Sequence, residues 1–271
     1  MVIDNLCDSQ TALCATALVC KPWLPRSRLH LFQHVTMTGK FEELLLFLKQ
    51  TPQVKGYIRH LVLQGVDSCV PEHTDSFDSQ SDPCTTLPPY LLADIVAQLP
   101  RLSTVQLHQL SFHDQQSCRL PAYRLHKLDE LTLMNVGSMW DTTDDILGVL
   151  GLFSEIKYLH LNSVAQIVGM PLPLTGSLCS HVSPPNLKVH ALKFEDVPSE
   201  IYFEVIQNTR SRDVLRCIET ECRNIEDAEG LASLLESAGS ALEHLAVDLT
   251  PCFHMPVEYY LEDSEEVFIP G

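Results

Sequence analysis

Seven short segments of this 271-residue chain share one spacing of side chains, with a second three residues and a third five residues after the first, and all of these side chains except Thr220 are apolar. Their first members start 44, 26, 28, 33, 26 and 27 residues apart. A repeat at a nearly fixed interval restricts a chain to stacked copies of one structural unit, because one copy alone cannot bury its apolar side chains. The segments are Ile58–Leu61–Leu63, Leu102–Val105–Leu107, Leu128–Leu131–Leu133, Ile156–Leu159–Leu161, Val189–Leu192–Phe194, Leu215–Ile218–Thr220 and Leu242–Leu245–Val247.

The interval of 26–28 residues falls within the roughly 20–29 residues of a leucine-rich repeat, in which each copy supplies one strand of a parallel sheet. Most segments follow a helical pattern, such as Phe41, Leu44 and Leu48 on one helical face before Pro52. The sequence therefore predicts an α/β fold over residues 36–271. We expect an irregular, right-handed leucine-rich-repeat solenoid with a parallel sheet on the concave face and helices outside.

Two segments interrupt the repeat and predict loop insertions. Residues 67–86 are rich in Asp, Ser, Thr and Pro and have little apolar periodicity, and residues 170–186 contain four prolines and a glycine. They account for the two longest intervals, because insertions in repeat proteins map to loops.

Residues 1–35 lack the repeat and predict a short helical module. Asp8 or Ser9 can cap a helix that starts near Gln10, and Pro22 ends it. The residues after Pro25 predict a second short helix.

The segment Ala17-Leu18-Val19-Cys20-Lys21-Pro22-Trp23-Leu24-Pro25-Arg26-Ser27-Arg28, closing with Leu31-Phe32, resembles the second half of an F-box. In particular, it is similar to the F-boxes of fungal F-box proteins with divergent repeats. Met1–Leu6 resembles the tail of the family's first helix, whereas the Leu-Pro-x-Glu that normally precedes this tail is absent. We therefore expect an F-box truncated at its N-terminus, either in a fragment or in an eroded gene product.

The resemblance implies a substrate-receptor subunit of a Skp–cullin–F-box ubiquitin ligase. The helical module would dock on a Skp-type adaptor, and the repeats would hold an unknown protein substrate. Such a receptor acts by proximity, so we expect no catalytic residues and no enzyme activity. The alternative is a repeat scaffold for protein binding without ubiquitin-ligase association. The adaptor-binding residues that the resemblance implies are Val2, Ile3, Leu6, Leu13, Val19, Cys20 and Trp23. Each could instead belong to the core of the helical module.

Charge and composition narrow the class of partner. Net charge is −17, and residues 1–66 contribute +3 while residues 67–271 contribute −20. An acidic repeat region argues against nucleic acid, which requires clustered cations. No apolar run is long enough to cross a membrane, and no basic segment marks a secretory signal. With ten scattered cysteines and no Cys-x-x-Cys pair, reduced thiols in the cytoplasm or nucleus are expected.

Strand alternation predicts which side chains lie on the concave face. If Leu107 and Leu161 point into the core, their neighbours point to the opposite side of the sheet. This face is polar, and acidic toward the C-terminal end. Solvation without contact is the alternative for each residue. The predicted partner-binding residues are Gln106, His108, Thr132, Met134, His160, Asn162, Lys193 and Glu195.

Motifs for catalysis or cofactor binding are absent from the sequence. It contains no phosphate-binding glycine loop, no nucleophile elbow and no His-Glu-x-x-His. Cys252 and His254 form the closest Cys/His pair, but zinc sites usually need two paired ligand clusters. We therefore expect no metal and no cofactor. His108 and His160 are considered as a catalytic pair, and the preferred interpretation is partner contact or solvation.

Overall fold

The computed structural model describes residues 9–19, 21–66, 85–112, 126–136, 143–164, 186–197, 199–238 and 241–250. Within them, eight strands form one parallel sheet in which the order of the strands is their order in the chain. This confirms the predicted α/β class and parallel sheet. The strands are β1 (His34–Thr38), β2 (His60–Gln64), β3 (Thr104–His108), β4 (His126–Met134), β5 (Phe153–Asn162), β6 (Lys188–Glu195), β7 (Cys217–Glu221) and β8 (His244–Asp248).

All seven segments with the repeated apolar spacing lie in or just before strands β2 to β8. The strand pairing aligns their second members side by side across the sheet, so that Leu131 lies between Val105 and Leu159. Leu131 and Leu159 are buried, as the register predicted from the sequence requires. The apolar spacing therefore specifies both the strands and their alignment, because side chains of one column pack against each other and against the helices.

Helices connect most successive strands, and their apolar faces share one core with the inward side of the sheet. The helix of residues 41–50 ends before Pro52 as predicted, and the residues of its predicted apolar face, Phe41, Leu44 and Leu48, are buried. Of the predicted insertions, residues 67–84 and 170–185 lie outside the described residues. The helices are α1 (Gln10–Val19), α2 (Leu24–Gln33), α3 (Phe41–Gln50), α4 (Pro89–Ala97), α5 (Thr143–Leu150), α6 (Ser199–Gln207) and α7 (Ile225–Ala238).

The turns after β1 to β5 and after β7 share a backbone hydrogen bond to the last residue of the next strand. The N–H of Gln109, which follows β3, donates to the carbonyl of Met134 at the end of β4. Asn135 and Ser163 repeat this bond one and two strands further on. These three residues have φ between 48° and 54°, in the left-handed region that side chains usually avoid. The strands therefore end at the same level of the sheet.

Two glycines fit the first two of these turns. Gly39 follows β1 with φ of 72°, which is accessible to glycine without strain. Gly65 follows β2, and a Cβ atom there would lie 2.0 Å from the carbonyl oxygen of Gln109. A side chain at position 65 would therefore push apart the turns that follow β2 and β3.

Helices α1 and α2 precede the sheet and contact each other, and they match the two helices predicted for residues 1–35. The Ser9 hydroxyl caps α1 by accepting a hydrogen bond from the N–H of Ala12 at 3.3 Å. Strand β1 follows α2 directly and begins at His34. The predicted boundary between residues 35 and 36 therefore falls inside this strand, which the sequence analysis did not find.

Candidate partner-binding face

The outer face is the side of the sheet that points away from the core. The strand register aligns its side chains in columns, with Gln106, Thr132 and His160 in one column and His108, Met134 and Asn162 in the next. Lys193 and Glu195 extend these columns onto β6. The structure thus brings together all eight predicted partner-binding residues on four adjacent strands.

Exposure on the outer face is lower than the sequence predicts. Seven of the eight residues are partly buried, and Thr132 is fully buried. Thr132 lies between Gln106 and His160 on the flanking strands, and its hydroxyl donates to the Glu130 carboxylate at 3.3 Å. Neighbours on both sides in a parallel sheet cover a short side chain such as threonine. Thr132 therefore supports its neighbours and offers little surface to a partner.

Glu195 is the centre of a hydrogen-bonded group on β5 and β6. One carboxylate oxygen lies 2.8 Å from the Lys193 ammonium. The other accepts from the Asn162 amide at 2.7 Å and lies 3.0 Å from His160 Nε2. The hydrogen bond from Lys193, supported by those of His160 and Asn162, lowers the pKa of Glu195 to about 2. The group is therefore a preorganised, charged patch.

A second carboxylate lies nearer the beginning of the same strands. Glu155 on β5 accepts from the Lys127 ammonium at 2.6 Å and lies 3.2 Å from His190 Nε2. The hydrogen bond from Lys127 is the main cause of the lowered pKa of Glu155. Glu155 and Glu195 thus both have cationic and imidazole partners, which fix their orientation.

Histidines replace carboxylates on the outer face of the first three strands. The rings of His34 and His60 stack with centroids 4.2 Å apart and planes 4° from parallel. Burial, and then the neighbouring His34, lower the pKa of His60. Burial also lowers the pKa of His108, whose Nε2 has no hydrogen-bond partner among the described residues. Strands β1 to β3 therefore present imidazole and amide groups on this face.

The structure separates the two histidines that were considered as a catalytic pair. His108 is on β3 and His160 on β5, and they lie in different columns with β4 between them. Two strand spacings place their backbones about 10 Å apart. They do not act on one reacting atom in this arrangement.

Toward the last strand, an open depression lies on the acidic part of the outer face. Its polar lining consists of one cation, Lys193, and four carboxylates, with Thr220 between them. The acidic lining of the depression agrees with the prediction that this face becomes acidic toward the C-terminal end of the chain. A cationic group of a partner complements this surface better than an anionic one does. The four carboxylates are those of Glu195, Glu219, Glu221 and Asp248.

The residues implied as adaptor contacts do not share one environment. Leu13 is buried within the helical unit, whereas Val19 and Trp23 are exposed. Leu18, which the analysis of the sequence left out, is also exposed and adjoins Val19. Val2, Ile3, Leu6 and Cys20 lie outside the described residues, as do Cys252 and His254.

The sequence analysis also left out a third column of the outer face. It contains Tyr158 on β5, in register with Ala191 on β6, and extends to Cys217 on β7 and His244 on β8. Each of its residues on β5 and β6 lies two positions before a predicted pair on the same strand, as Tyr158 does before His160. Alternation along the strand therefore indicates that these residues share the outer face. Burial raises the pKa of the Tyr158 phenol, so this side chain stays neutral.

Comparison with known proteins gives no match to a family model and none to a curated protein. Within the described residues, no helix has the length and apolar character needed to cross a bilayer.

Proposed function

We propose that this chain is a substrate-receptor subunit of a Skp–cullin–F-box ubiquitin ligase and binds a protein substrate on its outer face. The observation that carries the proposal is the joint arrangement of an open, polar sheet face and a helical pair just before its first strand. A sheet with one face uncovered by the described helices offers a broad docking surface. The helical pair offers a second, separate one.

The strand order supports the repeat part of the proposal. Stacked leucine-rich repeats place each strand beside the next one in the chain, and a helical or irregular segment returns between them. The usual pattern also has Asn or Cys three residues after its third leucine. In four of the seven repeats that position holds Leu110, Val136, Val164 and Val197, which are buried. In the other three it holds Val66, Arg223 and Thr250, which are not buried. Apolar packing thus replaces the usual polar ladder, which makes the repeats irregular.

Exposed apolar side chains support the adaptor part of the proposal. Leu18 and Val19 at the end of α1 and Trp23 before α2 form a cluster in sequence at the connection between the helices. Large apolar side chains on a surface mark interaction sites when they occur together, and Trp is enriched among residues that dominate binding. In the cytoplasm or nucleus the described cysteines, which form no disulfide bond with one another, would stay reduced.

A receptor of this kind accelerates ubiquitin transfer without reacting groups of its own. Holding a substrate lysine near the ubiquitin-carrying enzyme converts a bimolecular encounter into a nearly intramolecular one, and effective concentrations of about millimolar are typical of short linkages. The outer face would select the substrate, and its acidic end would favour a basic segment.

A pull-down with a purified Skp-type adaptor tests the proposal. The test variant carries Val19→Asp and Trp23→Ala, at positions 66% and 37% exposed. The matched control carries Leu46→Asp and Tyr90→Ala, at positions 55% and 47% exposed on α3 and α4. Circular dichroism checks that both variants keep the helical signal of the wild-type chain.

The proposal predicts that wild type and control bind the adaptor and that the test variant does not. Equal binding by the test variant and the control would reject the adaptor role of α1 and α2. Failure of the folded wild-type chain to bind would reject the ubiquitin-ligase assignment.

One observation favours a second candidate, a repeat scaffold that binds a partner without the ubiquitin machinery. Leu13 packs inside the helical unit and is not available to an adaptor. Interface energy is concentrated in a few anchors, each worth about 2 kcal/mol or more, so one fewer anchor weakens a complex considerably. A folded wild-type chain that binds no adaptor is the result expected of this candidate.

A further inference from the structure

Three different donor side chains converge near the last two strands of the outer face. Cys217 and Glu219 are two residues apart on β7 and therefore share a face of the sheet. His244 is the partner of Cys217 in the strand register on β8. The thiol sulfur, a carboxylate oxygen and an imidazole nitrogen all lie within 4.8 Å of one another. Small side-chain rotations from these positions would place all three around one ion.

These side chains differ from their neighbours in the described part of the chain because they form no hydrogen bond or ion pair, although Glu219 interacts electrostatically with Lys193. No hydrogen bond or ion pair engages the Cys217 thiol, the Glu219 carboxylate or the His244 ring there. The Glu195 carboxylate on the adjacent strand, in contrast, is bonded to three side chains. Glu221 and Asp248, further along β7 and β8, accept backbone N–H groups. Cys217, Glu219 and His244 thus differ from the other acidic residues nearby, whose carboxylates already accept hydrogen bonds.

The chemistry of this donor set selects a particular class of ion. A thiolate, an imidazole and a carboxylate are the ligands of zinc, whereas magnesium and calcium prefer oxygen alone. Burial, and then the negative charge of Glu219, raise the pKa of the Cys217 thiol. A bound dication offsets this repulsion, and the thiol proton passes to solvent as the metal–sulfur bond forms.

We propose that Cys217, Glu219 and His244 form a zinc-binding site on the outer face, with a fourth coordination position open to water or to a donor from a bound partner. Three protein ligands and one exchangeable position are the arrangement of reactive rather than closed structural zinc sites. The site is independent of the ubiquitin-ligase proposal, because it requires only the pairing of β7 with β8.

Titration of the reduced, metal-free protein with cobalt(II) and then zinc(II) tests the site. Cobalt bound to a thiolate gives a charge-transfer absorption, which reports sulfur coordination directly, and zinc then displaces the cobalt. The variants are Cys217→Ser, Glu219→Gln and His244→Ala. The matched control is Glu221→Gln, which neutralises the next outward side chain on the same strand. Cys14→Ser and Cys252→Ser test two other cysteines.

We expect one cobalt per chain and a charge-transfer band that Cys217→Ser abolishes. His244→Ala and Glu219→Gln should weaken zinc binding more than about 100-fold, beyond the range typical of groups that only orient a ligand. His244 is exposed, so its variant tests the site even if Cys217→Ser destabilises the fold. The proposal is overturned if wild type binds no cobalt, if Cys252→Ser or Cys14→Ser abolishes the band, or if Glu221→Gln weakens binding as much as Glu219→Gln.

Discussion

Leu159 and Leu245 occupy the same position of the same apolar pattern, yet the structure buries one and exposes the other. Leu159 on β5 is flanked by Leu131 and Leu192 on the adjacent strands. Leu245 on β8 is flanked by Ile218 on one side and by no described strand on the other, and 43% of it is exposed. The pattern thus determines strand and register, whereas burial depends on having a neighbour on both sides.

The two regions also differ in what fixes their helices. Around the central strands the core is apolar, with Phe153, Ile156 and Leu161 buried among the helices. Near the last strands, the buried carboxylate of Asp227 in α7 accepts from the N–H and hydroxyl of Ser199, which begins α6. It also accepts from the N–H of Arg223 at 2.9 Å. A polar contact therefore joins α6 and α7 where the apolar columns end.

The largest difference between the regions should appear on truncation of the two leucines. Leu159→Ala should lower the free energy of unfolding by about 2–5 kcal/mol, because it leaves a cavity in a packed core. Leu245→Ala should cost less than half as much, because much of its side chain already contacts solvent. Urea denaturation with an unchanged slope measures both values. Equal losses would show that β8 is as well covered as β5 and would break the comparison.

Asp227→Ala should have the next largest effect. It removes the acceptor of the Ser199 N–H, the Ser199 hydroxyl and the partly buried Arg223 N–H. We expect a net loss of about 1–3 kcal/mol, because the cost of unsatisfied donors is partly offset when the Asp227 carboxylate no longer has to be buried. The neighbouring Glu226 is exposed, so Glu226→Ala is the control. Hydrogen exchange should show faster opening of α6 and α7 than of α4 and β3. Uniform acceleration across the chain would contradict a local role for Asp227.

The same comparison shows how far sequence reasoning extends. Seven strands, their register and most helices were predicted because core side chains recur at fixed spacing. Strand β1 was missed although Phe32, Val35 and Met37 have the repeated spacing, 26 residues before Ile58. Phe32 was assigned only to the end of a helix, and Val35 and Met37 are partly buried at a sheet edge. The apolar sequence pattern is thus weaker in a strand at the edge of the sheet than in a central strand.

The sequence predicted which residues share the outer face of the sheet, but not which of their side chains form hydrogen bonds with each other. Alternation placed Lys193 and Glu195 on the outer face, but the group that Glu195 forms with His160 depends on side-chain conformation. The convergence of Cys217 with His244 requires the pairing of β7 with β8, which only the fold supplies. The burial of Thr132 depends on flanking strands, which a strand pattern alone does not describe.

A smaller effect is expected at Glu195, and it tests whether the outer face stabilises the central strands. Its pKa of about 2 lies below the usual value of 4.5, so the folded state favours the carboxylate form. This stabilisation is present above pH 4.5 and is lost as the pH falls toward 2. Glu195→Gln should therefore flatten the dependence of unfolding free energy on pH within this window. Partial exposure of the group screens the gain. An identical pH dependence in wild type and variant would show that the group of hydrogen bonds does not stabilise the fold.

The smallest effect should come from the ion pair that joins the segments before β7 and β8. Arg216 Nη1 lies 3.1 Å from a carboxylate oxygen of Glu243, and both side chains are exposed. Glu243→Gln should change the free energy of unfolding by less than about 1 kcal/mol, because water competes for exposed charges. The register of β8 is instead fixed by the N–H groups of Glu243 and His244, which both donate to the Arg216 carbonyl. Urea denaturation at low and high salt measures the contribution. A loss as large as that of Leu245→Ala would mean that charge, rather than backbone pairing and the half-covered Leu245, holds the last strand on the sheet.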